Sequence, residues 1–231
     1  MKSWIDFYDE RAKNFNTPEE VGCHYIDNKV ITQSFTEKES TRIFELLKPN
    51  KTRTVYDLGC GAGYSSNLLK PHFNHVIGID GGKKTIKLAK KHFPEIEYII
   101  DDLNKLDSVD DHTIEFALLY GVIYNMGSYK DVKGFFKLLD AKCKTNARVL
   151  ICKIPNLSLH DEYQSYRQRK HHSRNYINQK SKPKELQWIW FSTQDMHKLA
   201  PQSFDVTNIL PNTLCEMPIS AWFDTLLIKR G

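Results

Sequence analysis

Apolar and polar positions along the chain fall into two periods that take turns. Near the start, Trp4, Phe7, Tyr8, Ala12 and Phe15 recur at helical spacing, and the pattern stops at Asn16-Thr17-Pro18. A second helix is predicted where Thr36 and Glu39 form a capping box ahead of an Ile43, Phe44, Leu47 stripe that Pro49-Asn50 closes. Short β-branched or apolar runs then appear at 54–58, 76–79, 96–100, 114–119 and 147–151, and helical stretches at 64–70, 83–92 and about 128–142 fill three of the intervals. The run at 114–119 is almost wholly apolar, as a central parallel strand covered on both faces should be. This alternation predicts an α/β architecture, a doubly wound and mostly parallel sheet with helices on both faces.

The last third breaks the rhythm. Residues 157–185 are polar, aromatic and basic and read as an insertion. Residues 188–191 suit a short strand, and Ser192 with Asp195 suits the cap of a helix that ends before Pro201. Two further runs, 204–210 and 221–228, are joined by a Pro-containing connection and predict an antiparallel pair, which brings the sheet to seven strands. The expected organisation is an N-terminal helical cap (1–50), a core (51–156), a basic and aromatic lid (157–200) and a terminal strand pair (201–231) that completes the core.

Composition narrows the class. The chain has 231 residues, 40% of them hydrophobic and 26% charged, values of an ordinary globular domain. Its five cysteines are scattered, without a C-x-x-C pair, and read as reduced thiols rather than a disulfide framework or a zinc site. No run approaches the roughly 18–20 apolar residues of a membrane span, and the opening MKSWIDFYDE is unlike a signal peptide. The expectation is a soluble, cytoplasmic protein with no membrane span and no metal. The net charge of +5 is unevenly spread: residues 163–184 hold seven Lys/Arg and no acid, so the rest of the chain, with those seven subtracted, carries −2. Such a block suits phosphates, in RNA, DNA or a nucleotide-linked substrate, or is a solvated loop.

The chemistry-bearing constellation is Val55 to Gly63 with Asp80. Glycines between a strand and a helix let the backbone approach a ligand and adopt positive φ. Asp80 ends the next strand, where a carboxylate can accept two hydrogen bonds from a ribose diol. The spacing is G-x-G-x-G. The third small residue of a nicotinamide or flavin fingerprint is replaced by Tyr64, and no G-K-[ST] follows, which sets aside a P-loop.

The strings VYDLGCGAGY (55–64), IGID (77–80), Asp101-Asp102-Leu103 and FALLYGVIY (116–124) resemble the class I S-adenosylmethionine-dependent methyltransferases over roughly residues 50–155. The resemblance implies a Rossmann-like core and S-adenosyl-L-methionine as cofactor, with S-adenosyl-L-homocysteine as product. It also implies roles. Gly59, Gly61 and Gly63 would line the methionine part, and Asp57 would steady the loop and reach the amino group directly or through water. Asp80, followed by Gly81, would hold the ribose. Asp102, or alternatively Asp101, would face the adenine amine, and Leu103 would offer its N–H. Tyr120 would sit beside the sulfonium or act as ordinary packing, and Tyr8 would meet the methionine carboxylate, as an N-terminal tyrosine does in some small-molecule members. A cationic ligand with a diol and an aromatic amine suits carboxylates and aromatic faces.

Methyl transfer from a sulfonium needs alignment more than a base, and no base announces itself. The Asn/Asp-Pro-Pro-Tyr string of enzymes that methylate base amines is replaced by Tyr120-Gly121-Val122-Ile123. His24 and Tyr124 are candidate catalytic groups. Tyr25, and in the lid Tyr163, Arg167, Arg169 and Lys170, are candidate acceptor contacts. The Val21–Tyr25 step resembles methyltransferases acting on sugars in surface-polysaccharide pathways. The expected activity is therefore methyl transfer to an O or N atom of a small-molecule acceptor, such as a sugar or nucleotide-linked sugar. The alternatives are an RNA methyltransferase gripping phosphates with residues 163–184, and a non-catalytic cofactor-binding subunit.

Overall fold

The computed structural model describes residues 3–22, 25–26, 29–30, 33–49, 53–171, 186–210 and 222–231, with 25–26, 29–30 and 167–171 described by backbone alone. The chain opens with α1 (Trp4–Asn14), capped by the Ser3 side chain, and a four-residue α2 (Pro18–Val21). Thr17 and Glu20 form a reciprocal capping box on α2. A small antiparallel ladder of β1 (Tyr25–Ile26) and β2 (Lys29–Val30) precedes α3 (Gln33–Leu47).

The core is a seven-stranded sheet. In chain order its strands are β3 (Thr54–Leu58), β4 (His75–Asp80), β5 (Glu97–Ile100), β6 (Ile114–Tyr120), β7 (Cys143–Pro155), β8 (Phe204–Ile209) and β9 (Trp222–Lys229). In space they run β5-β4-β3-β6-β7-β9-β8. The pairs among β3 to β7 are all parallel, and β9 enters antiparallel to both β7 and β8. Helices α3, α4 (Tyr64–Leu69) and α5 (Lys83–His92) cover one face, burying Ile43, Leu47, Leu68 and Ile86 against Val55, Leu118 and Leu150. Helices α6 (Tyr129–Lys142) and α8 (Thr193–Leu199) cover the other, where Val132, Phe135, Leu139 and Met196 meet Ala117, Leu119, Val149 and Ile151. Neighbouring residues of β6 and β7 thus serve opposite faces, the period of two that puts apolar residues at every position of a central strand. Among the described residues no helix is long and apolar enough to cross a membrane.

Three local expectations are corrected, and one helix is added. Helix α3 begins at Gln33, so Thr36 lies inside it, and Glu39 is fully buried beside Arg42 rather than closing a cap. The insertion contains α7 (His160–His171), whose polar sequence carries no apolar stripe to announce it. Residues 188–191 form no strand, and Phe191 makes a single bridge to Asn156. Strand β7 extends well beyond 147–151 at both ends, and its pairing with β9 shifts register between Ile151 and Ile154.

Candidate functional site

The chain turns from β3 into α4 where the strand order reverses, β4 and β5 lying to one side of β3 and β6 to the other. Ligands of doubly wound sheets sit in that crevice. The turn is built from Gly59, Gly61 and Gly63 at φ +83°, +51° and +91°, a region that L side chains rarely adopt. Packing forbids a side chain at two of them. A Cβ on Gly59 would lie 2.6 Å from Val122 and 3.4 Å from Leu103, and one on Gly63 would lie 2.5 Å from the Tyr98 hydroxyl. At Gly61 a Cβ would meet nothing within 4 Å, so the middle of the loop faces open space.

Two carboxylates hold this cradle from beneath. Asp57, fully buried on β3, accepts the hydroxyls of Ser65 (2.8 Å) and Ser66 (2.6 Å) on Oδ2. Its Oδ1 is buried with no hydrogen-bond partner among the described residues. Burial pushes the Asp57 carboxyl up to about 7; the serine hydroxyls oppose this and nearby Asp80 adds to it. Asp80, ending β4, accepts the Gly61 N–H at 3.0 Å and the Gly82 N–H at 2.7 Å. Burial raises its pKa too, against those amides and Thr85. Oδ1 also takes the Thr85 hydroxyl at 3.4 Å, while Oδ2 keeps a further lone-pair direction for a ligand hydroxyl.

Helix α1 lies over this end of the sheet. Its Asp9 accepts the backbone N–H groups of Lys84 (2.8 Å) and Thr85 (3.0 Å), capping α5, whose N-cap Gly82 has no side chain to do so. Ile5 covers Gly81, where a Cβ would approach it to 2.6 Å, and Tyr8 packs against the cluster of Val21, Ala62 and Leu88. Tyr8 thus stands beside the glycine loop.

After β5, Asp101 accepts the Ser108 amide (2.8 Å) and hydroxyl (2.6 Å). Burial raises its pKa, but these bonds outweigh that and leave it lowered. Asp102 Oδ1 accepts from the Asn104 backbone and side chain, both at 2.9 Å. Leu103 packs beside Gly59. Tyr120 ends β6 with its ring 5.9 Å from that of Tyr64.

The segment after β7 packs on the sheet through aromatic rings. Tyr124, in the 3₁₀ turn Ile123–Asn125, meets Trp188 (5.1 Å between centroids) and Trp222 (5.7 Å). Tyr163 on α7 is enclosed by Trp188, Trp190 and Trp222 at 6.0, 5.4 and 6.0 Å. Only 5% exposed, Tyr163 packs among these rings. The Tyr124 hydroxyl lies over Gly121, 3.1 Å from where a Cβ would stand. His24 lies outside the described residues, as do the side chains of Tyr25, Arg167, Arg169 and Lys170.

Sequence reasoning missed a buried charge chain on the α3 side. Arg42 (α3) ion-pairs with Asp224 (β9) and lies 3.8 Å from Glu39, both carboxylates being fully buried. Asp224 Oδ1 also accepts the backbone N–H of Lys153 at 2.8 Å. The one signal for it was Asp224, an acid in the largely apolar strand β9. Among the described residues no group of three or more His, Cys, Asp or Glu side chains is placed to hold a metal.

The residues present fit S-adenosylmethionine. The buried, unpartnered Asp57 oxygen would suit a cationic amino group reached directly or through water, Gly61 opens onto space, and Asp80 would suit a diol hydroxyl. Sheet order and glycine loop together give a Rossmann-like fold, one shared with solved S-adenosylmethionine-dependent methyltransferases. Residues 56–151 match the family described as "Methyltransferase domain". Protein 235L of Invertebrate iridescent virus 6, named as a methyltransferase, is 27% identical over 143 residues, which are 57% of this chain and 53% of the relative. The match thus spans about half of that curated relative's length. Among solved structures, the N-methyltransferase NodS from Bradyrhizobium japonicum is similar at TM-score 0.63 and 9% identity, over 97% of this chain and 99% of that one. Phosphoethanolamine N-methyltransferase 2 of Haemonchus contortus gives TM-score 0.59 and 14% identity, over 84% of this chain and 53% of that one. At these identities the likeness is one of fold.

Proposed function

We propose that the protein transfers the methyl group of S-adenosylmethionine to an O or N atom of a small-molecule acceptor. The observation that carries this reading is the pairing of a buried, half-satisfied Asp57 with a left-handed glycine cradle that opens at Gly61. When bound, the cofactor supplies a methyl group already activated on a cationic sulfur. Asp57 and the glycine loop hold its amino-acid end, Asp80 its ribose, and Asp102 with Leu103 its base, while Tyr120 and Gly121 border the place where acceptor and methyl align. Helix α1 on one side and the aromatic-anchored lid on the other exclude water from that place. Alignment and desolvation then provide most of the acceleration, since the leaving group needs no acid.

Both structural relatives named above are called N-methyltransferases, which supports nitrogen as an acceptor atom alongside oxygen. A sugar or nucleotide-linked sugar is the acceptor class to try first. The RNA alternative rests on the charge count of residues 163–184, and the described residues add nothing to it.

The test combines calorimetry with S-adenosylhomocysteine and transfer of labelled methyl from S-adenosylmethionine into host-cell extract split into RNA, protein and acid-soluble fractions. Product binding with acid-soluble label supports the reading. RNase-sensitive label replaces it with the RNA alternative, and absence of S-adenosylhomocysteine binding overturns it.

A further inference from the structure

We infer that Lys153 is a specificity-determining residue that binds a compact anionic group, a phosphate or carboxylate, on the acceptor; this rests on the methyltransferase reading above.

The argument begins with the backbone. Lys153 sits at φ +59°, left-handed for a side chain that has no local reason to be there. It lies in the register shift where β7 opens between Ile151 and Ile154, the kind of irregularity that re-aims a side chain at a strand end. The conformation is held from below. The Lys153 N–H donates to Asp224, fully buried and in turn paired with Arg42, so two elements distant in sequence are committed to keeping one residue in an unfavourable region. Strain of this kind persists only where surrounding structure over-determines it, and it clusters at ligand sites.

The side chain goes where an acceptor would be. Cys152 pairs with Tyr120 across β6 and β7, and the Gly121 N–H donates to the Cys152 carbonyl at 3.0 Å, so Lys153 emerges beside the Tyr120–Gly121 step. Its Nζ stands 4.4 Å from the centroid of the Tyr120 ring and 5.8 Å from that of Phe35. Among the described residues, no carboxylate lies within ion-pair distance of this ammonium. Glu39 lies with Arg42, and Asp224 takes the backbone of Lys153 together with the Arg42 side chain. An ammonium resting on aromatic faces, on a backbone held out of its ordinary conformation, keeps its three donors for something that arrives. A compact oxyanion matches it in charge and hydrogen bonding. The cofactor's sulfonium, of like sign, does not.

The test uses the full chain carrying 13Cε-labelled lysine, which leaves every lysine its charge and its three N–H donors. The Lys153 resonance is assigned by its loss in Lys153→Arg. Inorganic phosphate and sodium acetate are titrated separately at constant ionic strength, with and without S-adenosylhomocysteine. The expected result is a saturable shift of the Lys153 signal at concentrations at least tenfold lower than for the other lysines; the anion that saturates first distinguishes phosphate from carboxylate. A Lys153 signal that stays still, or moves only with the bulk of the lysines, overturns the inference. In calorimetry, folded Lys153→Met should bind S-adenosylhomocysteine as the parent does. A tenfold or greater loss would assign Lys153 to the product's own carboxylate and overturn the inference by that route. Should S-adenosylhomocysteine fail to bind the parent, the methyltransferase reading falls, while the titration without it still decides whether Lys153 holds an anion.

Discussion

Asp80 ties the end of β4 to the middle of the glycine loop by accepting the Gly61 N–H at 3.0 Å. The carboxylate offered to a ribose is therefore also a brace of the cradle. Asp80→Ala should weaken S-adenosylhomocysteine binding by roughly 1–3 kcal/mol, the worth of lost charge-assisted bonds. Asp80→Asn keeps an acceptor oxygen and should lose less. Calorimetry on both folded variants checks this, and unchanged affinity in Asp80→Ala would sink the ribose assignment.

Glycines 61 and 63 should separate binding from stability. Gly63→Ala adds left-handed strain and drives a methyl into Tyr98, Phe93 and Ala89, so it should cost at least about 2 kcal/mol of folding stability. Gly61→Ala meets nothing and should cost about 1 kcal/mol, from backbone strain alone. It nevertheless puts a methyl into the space where the cofactor would lie, and should lose affinity more than stability. Urea melts beside binding isotherms would show equal losses in both variants if the cradle were only structural.

Asp57 gives two pH dependences of opposite sign. Its folded pKa, about 7, lies above the ordinary 3.8, so between those values the folded state holds the extra proton. Stability from this group is complete below about pH 4 and is lost as the pH rises through 7. Affinity for a cationic amino group should instead rise over pH 6–8, as the carboxylate ionises. Asp57→Asn should flatten both slopes. Thermal melts and S-adenosylhomocysteine titrations at several pH values test it, and a variant with the parent's slopes would remove Asp57 from the site.

Arg42→Met strips the partner from two buried carboxylates, Glu39 and Asp224. Breaking a buried ion pair from one side costs about 3–5 kcal/mol. Replacing Glu39, Arg42 and Asp224 together by apolar residues should recover much of that loss, a result denaturant melts would register directly. If Arg42→Met alone were neutral, the chain of charges would not be the support described above.

Most strands, their mainly parallel sense and the glycine loop were legible because each rests on local signals, whereas the spatial order of the strands was not. Apolar runs mark β3 to β7, and three glycines with Asp80 mark the switch point. The rest depends on partners far apart in the chain. Thr36-x-x-Glu39 has the letters of a capping box, yet Glu39 answers to Arg42 and, through it, to Asp224 on the last strand, which no window around residue 39 contains. Helix α7 has no apolar stripe because it is held chiefly by Tyr163 in an aromatic cluster, and three tryptophans of that cluster come from elements that follow it. The W-I-W-F run at 188–191 looks like a strand because the rings of that cluster and strand residues share the same letters.

The cap that Asp9 places on α5 also bears on how the chain is assembled. The hydrogen bonds join residues 75 and 76 positions apart. Helix α1 therefore leaves the ribosome well before the amides it serves exist, and must wait, unanchored on that side, until residues 84 and 85 have been added. Its docking closes a loop of 75 residues, an entropic cost that the contacts between neighbouring strands and helices do not carry.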